Sequence, residues 1–395
     1  MVLVGAATLT LSACGSKSSD SSGGSGSSAP LAIAPLVQID QSGKEVAASS
    51  TTAAADPAGD GKATCTNVKL AFAGAKTGPN AALGINIRNG AKVALDAHNK
   101  ANPGCQVEMV DFDTEGDPQK ATQVAPQIVS DPSVIGLLGP AFSGETKATG
   151  GIFAQAGLPS LSASATNVAL TTNGWKTFYR GLANDGVQGP SVAKYLTDSQ
   201  GFKKICVVQD DSDYGVGLAK AVEDALGSAA DKSCSASVKT GDKDFSATST
   251  SIKSANADAI FYAGYFAEAA PLVTQLRSAG VTAKFVSADG TNDPEFVKQA
   301  GSSAQDALLS CPCGPAPDSY KAAYKAANNA EPGVYSTEGY DLTTIMLKGI
   351  DAGKTTRADL AAFVKSYDGA GLARNYKWND KGELDNALIW MYQVK

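Results

Sequence analysis

A strand-to-helix junction is encoded by Gly139-Pro140-Ala141-Phe142-Ser143-Gly144-Glu145-Thr146, which follows the apolar run Val134–Leu138. About twenty residues further on, a second cluster of small residues and hydroxyls, Ser162–Asn167, follows the apolar run Leu158–Leu161. In an open α/β sheet, ligands bind in the crevice beyond the carboxyl ends of the strands. Hydroxyls and backbone N–H groups at a helix start bind anions well. The two clusters therefore predict a ligand-binding crevice with an anion-binding wall.

Strand and helix patterns alternate along most of the chain. In the first half, strands are predicted at residues 67–74, 106–113, 134–138 and 158–161, with apolar helix stripes at residues 87–98 and 121–129. The second half repeats this with strands at residues 204–210, 235–239, 258–265 and 284–287, and helices at 215–226, 245–255 and 269–279. The pattern predicts an α/β protein with two doubly wound, parallel-sheet lobes. The length of 395 residues, which exceeds one typical domain, agrees with this.

The composition is that of an acidic globular protein. The net charge of -6 and the pI near 5.0 argue against nucleic acid or an anionic membrane surface as a partner. The sequence has one histidine, His98, which excludes a metal site built from several histidines. Because His98 ends the apolar stripe of the first predicted helix, we expect it to pack at the helix end and not to act in catalysis.

Three stretches resemble catalytic or metal-binding motifs without completing them. Gly215–Lys220 begins like a dinucleotide fingerprint, but a lysine replaces its third glycine. The residues around Ser143 lack the two glycines of a nucleophile elbow. Asp111–Gly116 begins like a calcium loop, but its twelfth position is Thr122 and it follows a strand. The sequence therefore predicts no metal and no cofactor, and it offers no sign of an enzyme.

The N-terminal residues are typical of an exported protein. Residues 1–13 are apolar and suit a secretory signal, because spanning a bilayer takes about 20 residues. Leu11-Ser12-Ala13-Cys14 resembles a bacterial lipobox, so residues 1–14 are interpreted as a lipoprotein signal with lipidation at Cys14. A plain signal with an incidental cysteine is the alternative. Residues 15–62 are interpreted as a flexible tether and a weakly ordered extension, with at most a short strand at Leu36–Ile39.

The remaining six of the seven cysteines suit an oxidising compartment. Cys65 and Cys105 each precede a predicted strand, and the first two strands of such a sheet are usually neighbours, which favours this pair. The same argument favours Cys206 with Cys234. Cys311-Pro312-Cys313 either closes on itself as a tight ring or holds two free thiols.

Specific motifs spread along the chain resemble one family of binding proteins. They are Thr77-Gly78-Pro79, Asn89-Gly90-Ala91, Asp117-Pro118, Ala165-Thr166-Asn167, Asp213–Ala219, Gly241–Ser246, Tyr262–Tyr265 and Trp378–Gly382. From about Asn67 onward, the chain is similar to the leucine/isoleucine/valine-binding proteins, the branched-chain amino-acid branch of the type I periplasmic binding fold. The resemblance covers roughly 330 residues, and the motifs fall in the family's order.

The resemblance implies two lobes joined by three crossovers, with the ligand captured between them by hinge closure. It places the N-terminal lobe at residues 63–184 and 314–375, and the C-terminal lobe at residues 185–313 and 376–395. The crossovers are expected near Ala183–Gly186, Cys311–Gly314 and Arg374–Lys377.

The resemblance also implies which residues bind an amino acid. Ser143 and Thr166 match carboxylate-binding positions, and Ala165 belongs to the same motif as Thr166. The carbonyl of Ser164 matches an ammonium acceptor, and Asp289 stands where the family uses an acid against the ammonium. The chemistry agrees, because a zwitterion taken out of water needs both of its charges compensated. Taken singly, Ser143 and Thr166 have helix capping as an alternative role.

Further contacts and two departures concern the ligand's environment. Tyr214 and Tyr265 match contacts of the far lobe, with ordinary core packing as the alternative. Leu83 replaces the tryptophan that branched-chain binders typically have, which leaves more room for the ligand's side chain. Asp289 replaces the family's glutamate and is one methylene shorter, so its ammonium contact needs tighter closure or a bridging water.

These features predict a solute-binding lipoprotein without a cofactor, anchored by lipidated Cys14 to the outer face of the cell membrane. We expect a monomer that captures an aliphatic, branched-chain amino acid and delivers it to the permease of an ABC importer. The first alternative is a binder of a short amide, urea or an aromatic acid in the same fold. A sensor ectodomain is the second. An enzyme is the third, since the sequence offers no nucleophile–base pair.

Overall fold

The computed structural model describes residues 30–48, 54–384 and 389–395. Residues 31–395 form one compact unit. The predicted signal sequence, the lipidation site Cys14 and the first part of the predicted tether lie outside the described residues. Among the helices of the described ranges, none has both the length and the apolar character needed to cross a membrane.

Strands and helices alternate almost throughout the described residues. The strands are β1 (Ile33–Ile39), β2 (Glu45–Val46), β3 (Lys69–Gly74), β4 (Glu108–Asp113), β5 (Val134–Leu138), β6 (Ser160–Ser162), β7 (Phe178–Arg180), β8 (Ile205–Gln209), β9 (Ala236–Ser237), β10 (Ala259–Ala263), β11 (Lys284–Ser287), β12 (Leu308–Cys311), β13 (Asp368–Ala370), β14 (Asn375–Lys377) and β15 (Ile389–Val394). The helices are α1 (Ala81–Ala101), α2 (Pro118–Ser130), α3 (Ser143–Gln155), α4 (Asp185–Lys194), α5 (Asp213–Leu226), α6 (Ser246–Ala255), α7 (Phe266–Ser278), α8 (Pro294–Ala300), α9 (Asp318–Asn328), α10 (Ser336–Asp351) and α11 (Arg357–Ser366).

The first lobe is built on a parallel sheet with the strand order β4-β3-β5-β6-β7. Leu70 and Phe72 of β3 pack in one core with α1 and α10, whereas Ala71 and Ala73 pack in another with α2 and α3. Because helices cover both faces of the sheet, its central strands are continuous apolar runs in the sequence. Helices α10 and α11 return to this lobe, where they contact α1 and β5 respectively.

The second lobe is built on a mixed sheet with the strand order β2-β1-β15-β12-β11-β10-β8-β9. Strands β8 to β12 pair in parallel, as the sequence predicts for this half. The C-terminal β15 is antiparallel to β12, and β1 is antiparallel to β15. The prediction of a parallel sheet is therefore confirmed for strands β8 to β12, whereas β15, β1 and β2 form an antiparallel edge.

The segment before residue 63 is more ordered than the sequence indicates. Strand β1 pairs with β15 from Ile33 opposite Val394 to Ile39 opposite Ile389. Further along, the backbone N–H of Ala55 donates to the carbonyl of Ala370 at 2.8 Å. The interpretation of residues 31–62 as a weakly ordered extension is wrong for this strand. Its partner lies at the other end of the chain, so composition and local pattern do not reveal the pairing.

The chain crosses between the lobes near two of the three predicted places. The first crossing follows β7, and the second lies between β12 and α9. The third was predicted at Arg374–Lys377, but Trp378 Nε1 donates to the carbonyl of Arg180 at 2.7 Å and Glu383 forms an ion pair with Arg180. The first lobe therefore extends at least to Glu383. The predicted boundary after residue 375 is too early, because Trp378 packs in the first lobe.

The two favoured cysteine pairs, Cys65–Cys105 and Cys206–Cys234, are disulfides in this structure, and so is Cys311–Cys313. Of the two alternatives for the last pair, the structure contains the closed ring, which lies at the second crossing. His98 is fully buried at the end of α1, and its Nε2 lies 2.8 Å from Oδ1 of Asp351 in α10. This contact joins two helices of the first lobe, as expected for a packing residue.

Candidate ligand-binding site

A small cavity lies between the lobes at the carboxyl ends of the parallel strands. Its volume is about 10 Å³, roughly the space of one water molecule. It is lined by Leu83, Ala141, Phe142, Ser143, Ser164, Tyr214, Tyr265, Asp289 and Tyr335. The sequence analysis selected six of these residues, whereas two other predicted residues, Ala165 and Thr166, do not line the cavity. Pockets for drug-sized ligands measure about 300–1,000 Å³, so even a small ligand needs the two walls to stand further apart than they do in this closed form.

The first-lobe wall of the cavity is the start of α3. Ser143 is the first residue of this helix and follows β5 through the junction at residues 139–142. The first N–H groups of a helix have no partner within it, and the helix dipole favours an anion there. Ser143 Oγ accepts a hydrogen bond from the backbone N–H of Asn167 at 3.2 Å. This contact leaves the hydroxyl hydrogen available to a ligand oxygen.

The loop after β6 continues the first-lobe wall. Ser164 lines the cavity, and its Oγ donates to the carbonyl of Ala141 at 2.5 Å. The carbonyl of Ala165 accepts from the guanidinium of Arg180. Thr166 is fully buried, and its hydroxyl lies near the Asp185 carboxyl without a well-formed hydrogen bond. A buried hydroxyl without a partner costs about 1–3 kcal/mol, so a ligand oxygen that reached Thr166 would be stabilised.

The second-lobe wall centres on Asp289, which follows β11 and is buried. Its Oδ1 accepts from the hydroxyl of Tyr214 at 3.0 Å, and its Oδ2 accepts from the hydroxyl of Tyr335 at 2.6 Å. The N–H of Gly290 donates to the Tyr214 oxygen at 3.2 Å, which fixes that ring. Burial raises the pKa of Asp289, and the hydrogen bonds from Tyr335, Gln188 and Tyr214 oppose this rise.

Aromatic and polar contacts hold the cleft closed in this structure. Tyr265 precedes α7, and its ring lies 5.1 Å from that of Tyr214 and 5.2 Å from that of Phe142 in the first lobe. Lys147 Nζ lies 2.6 Å from Oδ1 of Asp213, a partly exposed ion pair between α3 and α5. The lobes are therefore joined by an aromatic contact and by an ion pair.

The cavity contains acid but no basic side chain. None of its lining residues within the described ranges is lysine, arginine or histidine. Asp185 lies nearby at the start of α4, and burial together with the charge of Asp289 raises the pKa of Asp185 to about 8. No group of histidine, cysteine and acidic residues in the described ranges is arranged to hold a metal ion. This electrostatic environment favours a cationic group beside Asp289.

Three residues that line the cavity were not selected from the sequence: Ala141, Phe142 and Tyr335. The buried Asp185 nearby was not selected either. Phe142 belongs to the junction at residues 139–146, where an apolar side chain among hydroxyls carries no signal for ligand binding. Tyr335 lies in the turn that leads into α10 and reaches the cavity only through the packing of α10 on α1. Asp185 follows the first crossing and could have been noticed as an acid at a hinge.

The two-lobed architecture around a closed cleft is that of a type I periplasmic binding protein. A solved structure of a periplasmic binding protein type 1 from Bordetella pertussis Tohama I has the same fold, with a TM-score of 0.75, 20% identity and coverage of 82% of this chain and 96% of that chain. The family model for the periplasmic binding protein matches residues 67–395. The chain therefore belongs to the periplasmic binding protein family.

Within this family, the chain is similar to the branched-chain amino-acid binders, as the sequence motifs predicted. The leucine-, isoleucine-, valine-, threonine- and alanine-binding protein of Pseudomonas aeruginosa is 30% identical over 334 residues, which cover 82% of this chain and 89% of that protein. The Leu/Ile/Val-binding protein of Escherichia coli K12 is 29% identical over 330 residues, covering 80% and 88%. A substrate-binding protein of a branched-chain amino acid transporter from Streptococcus pneumoniae, solved with isoleucine, gives a TM-score of 0.77 at 27% identity, covering 84% and 99%.

Proposed function

We propose that this solute-binding protein captures an aliphatic amino acid, with the branched-chain amino acids as first choice, and delivers it to an ABC importer. One observation carries the proposal. The cavity has a buried carboxylate, Asp289, on one wall and the start of α3, at Ser143, on the other. These walls offer a negative charge and a set of hydrogen-bond donors, which are complementary to the two ends of a zwitterion.

The ligand's ammonium is proposed to contact Asp289 and the carbonyl of Ser164. Its carboxylate is proposed to accept from the Ser143 hydroxyl and the first amides of α3. Thr166, which does not line the cavity in this closed form, is proposed as a further donor when the ligand widens the site. Charge-assisted hydrogen bonds of this kind are roughly twice as strong as neutral ones. Both charges of the ligand would then be compensated inside the closed cleft, where an uncompensated charge costs several kcal/mol.

The side-chain end of the ligand is proposed to lie against Leu83 and Phe142. Both residues are buried and line the cavity. Their apolar surface favours an aliphatic side chain, since burial stabilises by about 25 cal/mol per Å² of apolar surface. Similarity to a leucine-, isoleucine- and valine-binding relative and to a structure solved with isoleucine supports this choice. The leucine at position 83, where the family typically has tryptophan, allows a side chain at least as large as theirs.

The setting of the protein follows from its N-terminal residues and its family. We propose export, lipidation at Cys14 and attachment to the outer face of the cell membrane, with an ABC permease as the partner that receives the amino acid. The protein is proposed to act as a monomer, without cofactor, metal, nucleic acid or catalysis.

A thermal-shift screen of the full chain tests the ligand class, with the twenty amino acids, urea, acetamide and benzoate as probes. A ligand at 1,000 times its Kd stabilises by about 4 kcal/mol, which raises the Tm by several degrees. We expect leucine, isoleucine or valine to give the largest rise. Asp289→Ala should abolish it, whereas Asp224→Ala, at an exposed position of the same lobe, should not.

Other outcomes of the screen would redirect the proposal. A rise with benzoate or acetamide alone would keep the binding fold but reject an ammonium acceptor at Asp289. Equal rises in wild type and Asp289→Ala with leucine would reject the proposed orientation of the amino acid. No rise with any probe would contradict the amino-acid proposal.

A further inference from the structure

One buried hydrogen bond joins the two lobes inside the cavity. Tyr335 immediately precedes α10, which packs on α1 in the first lobe, whereas Asp289 follows β11 in the second lobe. The Tyr335 hydroxyl donates to Asp289 Oδ2 at 2.6 Å, and both side chains are at least 95% buried. The bond therefore crosses the cleft and ends on the carboxylate that we propose as the ammonium acceptor.

The same carboxylate receives a second hydrogen bond that does not cross the cleft. Tyr214 of α5 donates to Asp289 Oδ1 at 3.0 Å, and both residues belong to the second lobe. When the cleft opens, the Tyr214 bond can persist, but the Tyr335 bond must break. The two tyrosine hydroxyls are thus chemically equivalent donors to the same carboxylate. Only the hydrogen bond from Tyr335 needs a closed cleft.

The backbone of Tyr335 supports a special role for its side chain. Its φ is 65° and its ψ is 0°, in the left-handed region that bulky residues rarely adopt. Such a conformation persists only when the surrounding structure enforces it, and it is concentrated at ligand clamps and switch regions. Here the carbonyl of Tyr335 accepts the N–H of Gly339 at 2.9 Å, which ties the residue to the first turn of α10.

Tyr335 also borders free space on a second side. A separate cavity of about 140 Å³ lies beside the second crossing and includes Tyr335, Asn292, Cys313 and Tyr392 among its lining residues. Tyr335 therefore borders this cavity, although it is buried in the main hydrophobic core.

We propose that Tyr335 is a positioning residue that latches the cleft: its hydroxyl holds the Asp289 carboxylate across the cleft and favours closure before a ligand arrives. The role of Asp289 as ammonium acceptor rests on the proposed function, but the latch does not. Aspartate is one methylene shorter than the glutamate typical of the family. The hydrogen bond from Tyr335 offsets this difference, because it holds the Asp289 carboxylate at a fixed place in the cavity wall.

Small-angle X-ray scattering of the ligand-free full chain, with Cys14→Ser to prevent lipidation, tests the latch. Tyr335→Phe removes only the hydroxyl. Because a hydrogen bond to a charged group typically contributes about 1.5–3 kcal/mol, the closed-to-open ratio should fall roughly tenfold to a hundredfold. The wild-type curve should fit the closed structure, and the Tyr335→Phe curve should show a larger radius of gyration.

Tyr214→Phe is the matched control, since it removes the hydrogen bond to Asp289 that lies within the second lobe and leaves the one that crosses the cleft. Its radius of gyration should stay at the wild-type value. Equal expansion in both variants, no expansion in Tyr335→Phe, or an open wild-type protein would overturn the latch. Circular dichroism and the Tm of each variant verify folding. Because no ligand is added, these outcomes do not depend on whether the protein binds amino acids.

Discussion

The two walls of the cleft are built in different ways. The first-lobe wall is the start of α3, where Ser143 and the first amides of the helix come from one continuous stretch after β5. The second-lobe wall depends on one carboxylate, Asp289, which is held by Tyr214 of its own lobe and by Tyr335 of the other. Local backbone geometry provides donors on one side, and contacts distant in sequence orient an acceptor on the other. The comparison indicates that the second wall is the more sensitive to single substitutions.

The largest expected effect is at Asp289. Truncating one partner of a buried, hydrogen-bonded charge pair costs about 2–5 kcal/mol, so Asp289→Ala should weaken leucine binding by about 30-fold to 5,000-fold. Calorimetric titration measures this. Asp289→Asn keeps the shape but removes the charge, and it should lose most of the same affinity. Wild-type affinity in Asp289→Asn would mean that the charge is not used.

The next effect is expected at Asp185, which lies beside the second wall, and it is a change in the pH dependence of folding stability. Burial and Asp289 raise the pKa of Asp185 from 3.8 to about 8. Between about pH 4 and about pH 8 the folded state binds more protons than the unfolded state. The stabilisation contributed by the protonated Asp185 carboxyl is therefore fully present below about pH 4 and is lost as the pH rises through about 8. Asp185→Asn should therefore gain stability over wild type as the pH rises, on the order of a few kcal/mol at pH 8.

Urea unfolding of the ligand-free protein from about pH 4 to about pH 8 measures this difference. The control is Asp198→Asn, at an exposed position of the same lobe. It should keep the wild-type dependence of stability on pH. The same dependence in Asp185→Asn as in wild type would show that Asp185 is not a buried, protonated acid.

A smaller effect is expected on the first wall. Ser143→Ala removes one hydroxyl, but the amides at the start of α3 remain, so leucine affinity should fall by only about tenfold. Ser130→Ala, at the exposed end of α2, should leave the affinity unchanged. A loss in Ser143→Ala as large as that in Asp289→Ala would contradict the contrast between the two walls.

The smallest effect is expected at the apolar end of the cavity. Leu83→Trp adds an indole to a cavity of about 10 Å³, and overpacking costs about 1–3 kcal/mol where the surroundings cannot adjust. The ratio of leucine to valine affinity should fall by about fivefold, because the larger ligand loses more room. Ile85→Trp, which faces solvent in the same helix, is the control. An unchanged ratio would place the ligand's side chain elsewhere.

The site was predictable only in part, because some of its residues are placed by the sequence next to them and others by tertiary packing. Ser143 and Ser164 stand directly after buried strands, and parallel strands bring their carboxyl ends to one edge of the sheet. Asp289, Tyr214 and Tyr265 were selected by resemblance to a family and not by local pattern. Tyr335 carried neither signal, since its place in the cavity depends on how α10 packs on α1. Thr166 has a hydroxyl in the right motif, yet the chain places it behind the cavity wall.

The sequence by itself determined the alternation of strands and helices, because apolar periodicity records which faces are buried. It also favoured two of the three disulfides, since Cys65–Cys105 and Cys206–Cys234 join neighbouring strand starts. Only the tertiary structure decided that β1 pairs with β15, that the first lobe extends to Glu383, and that Tyr335 reaches Asp289. Each of these contacts joins residues far apart in the chain. Tertiary packing selects such a partner, and no local pattern in the sequence records it.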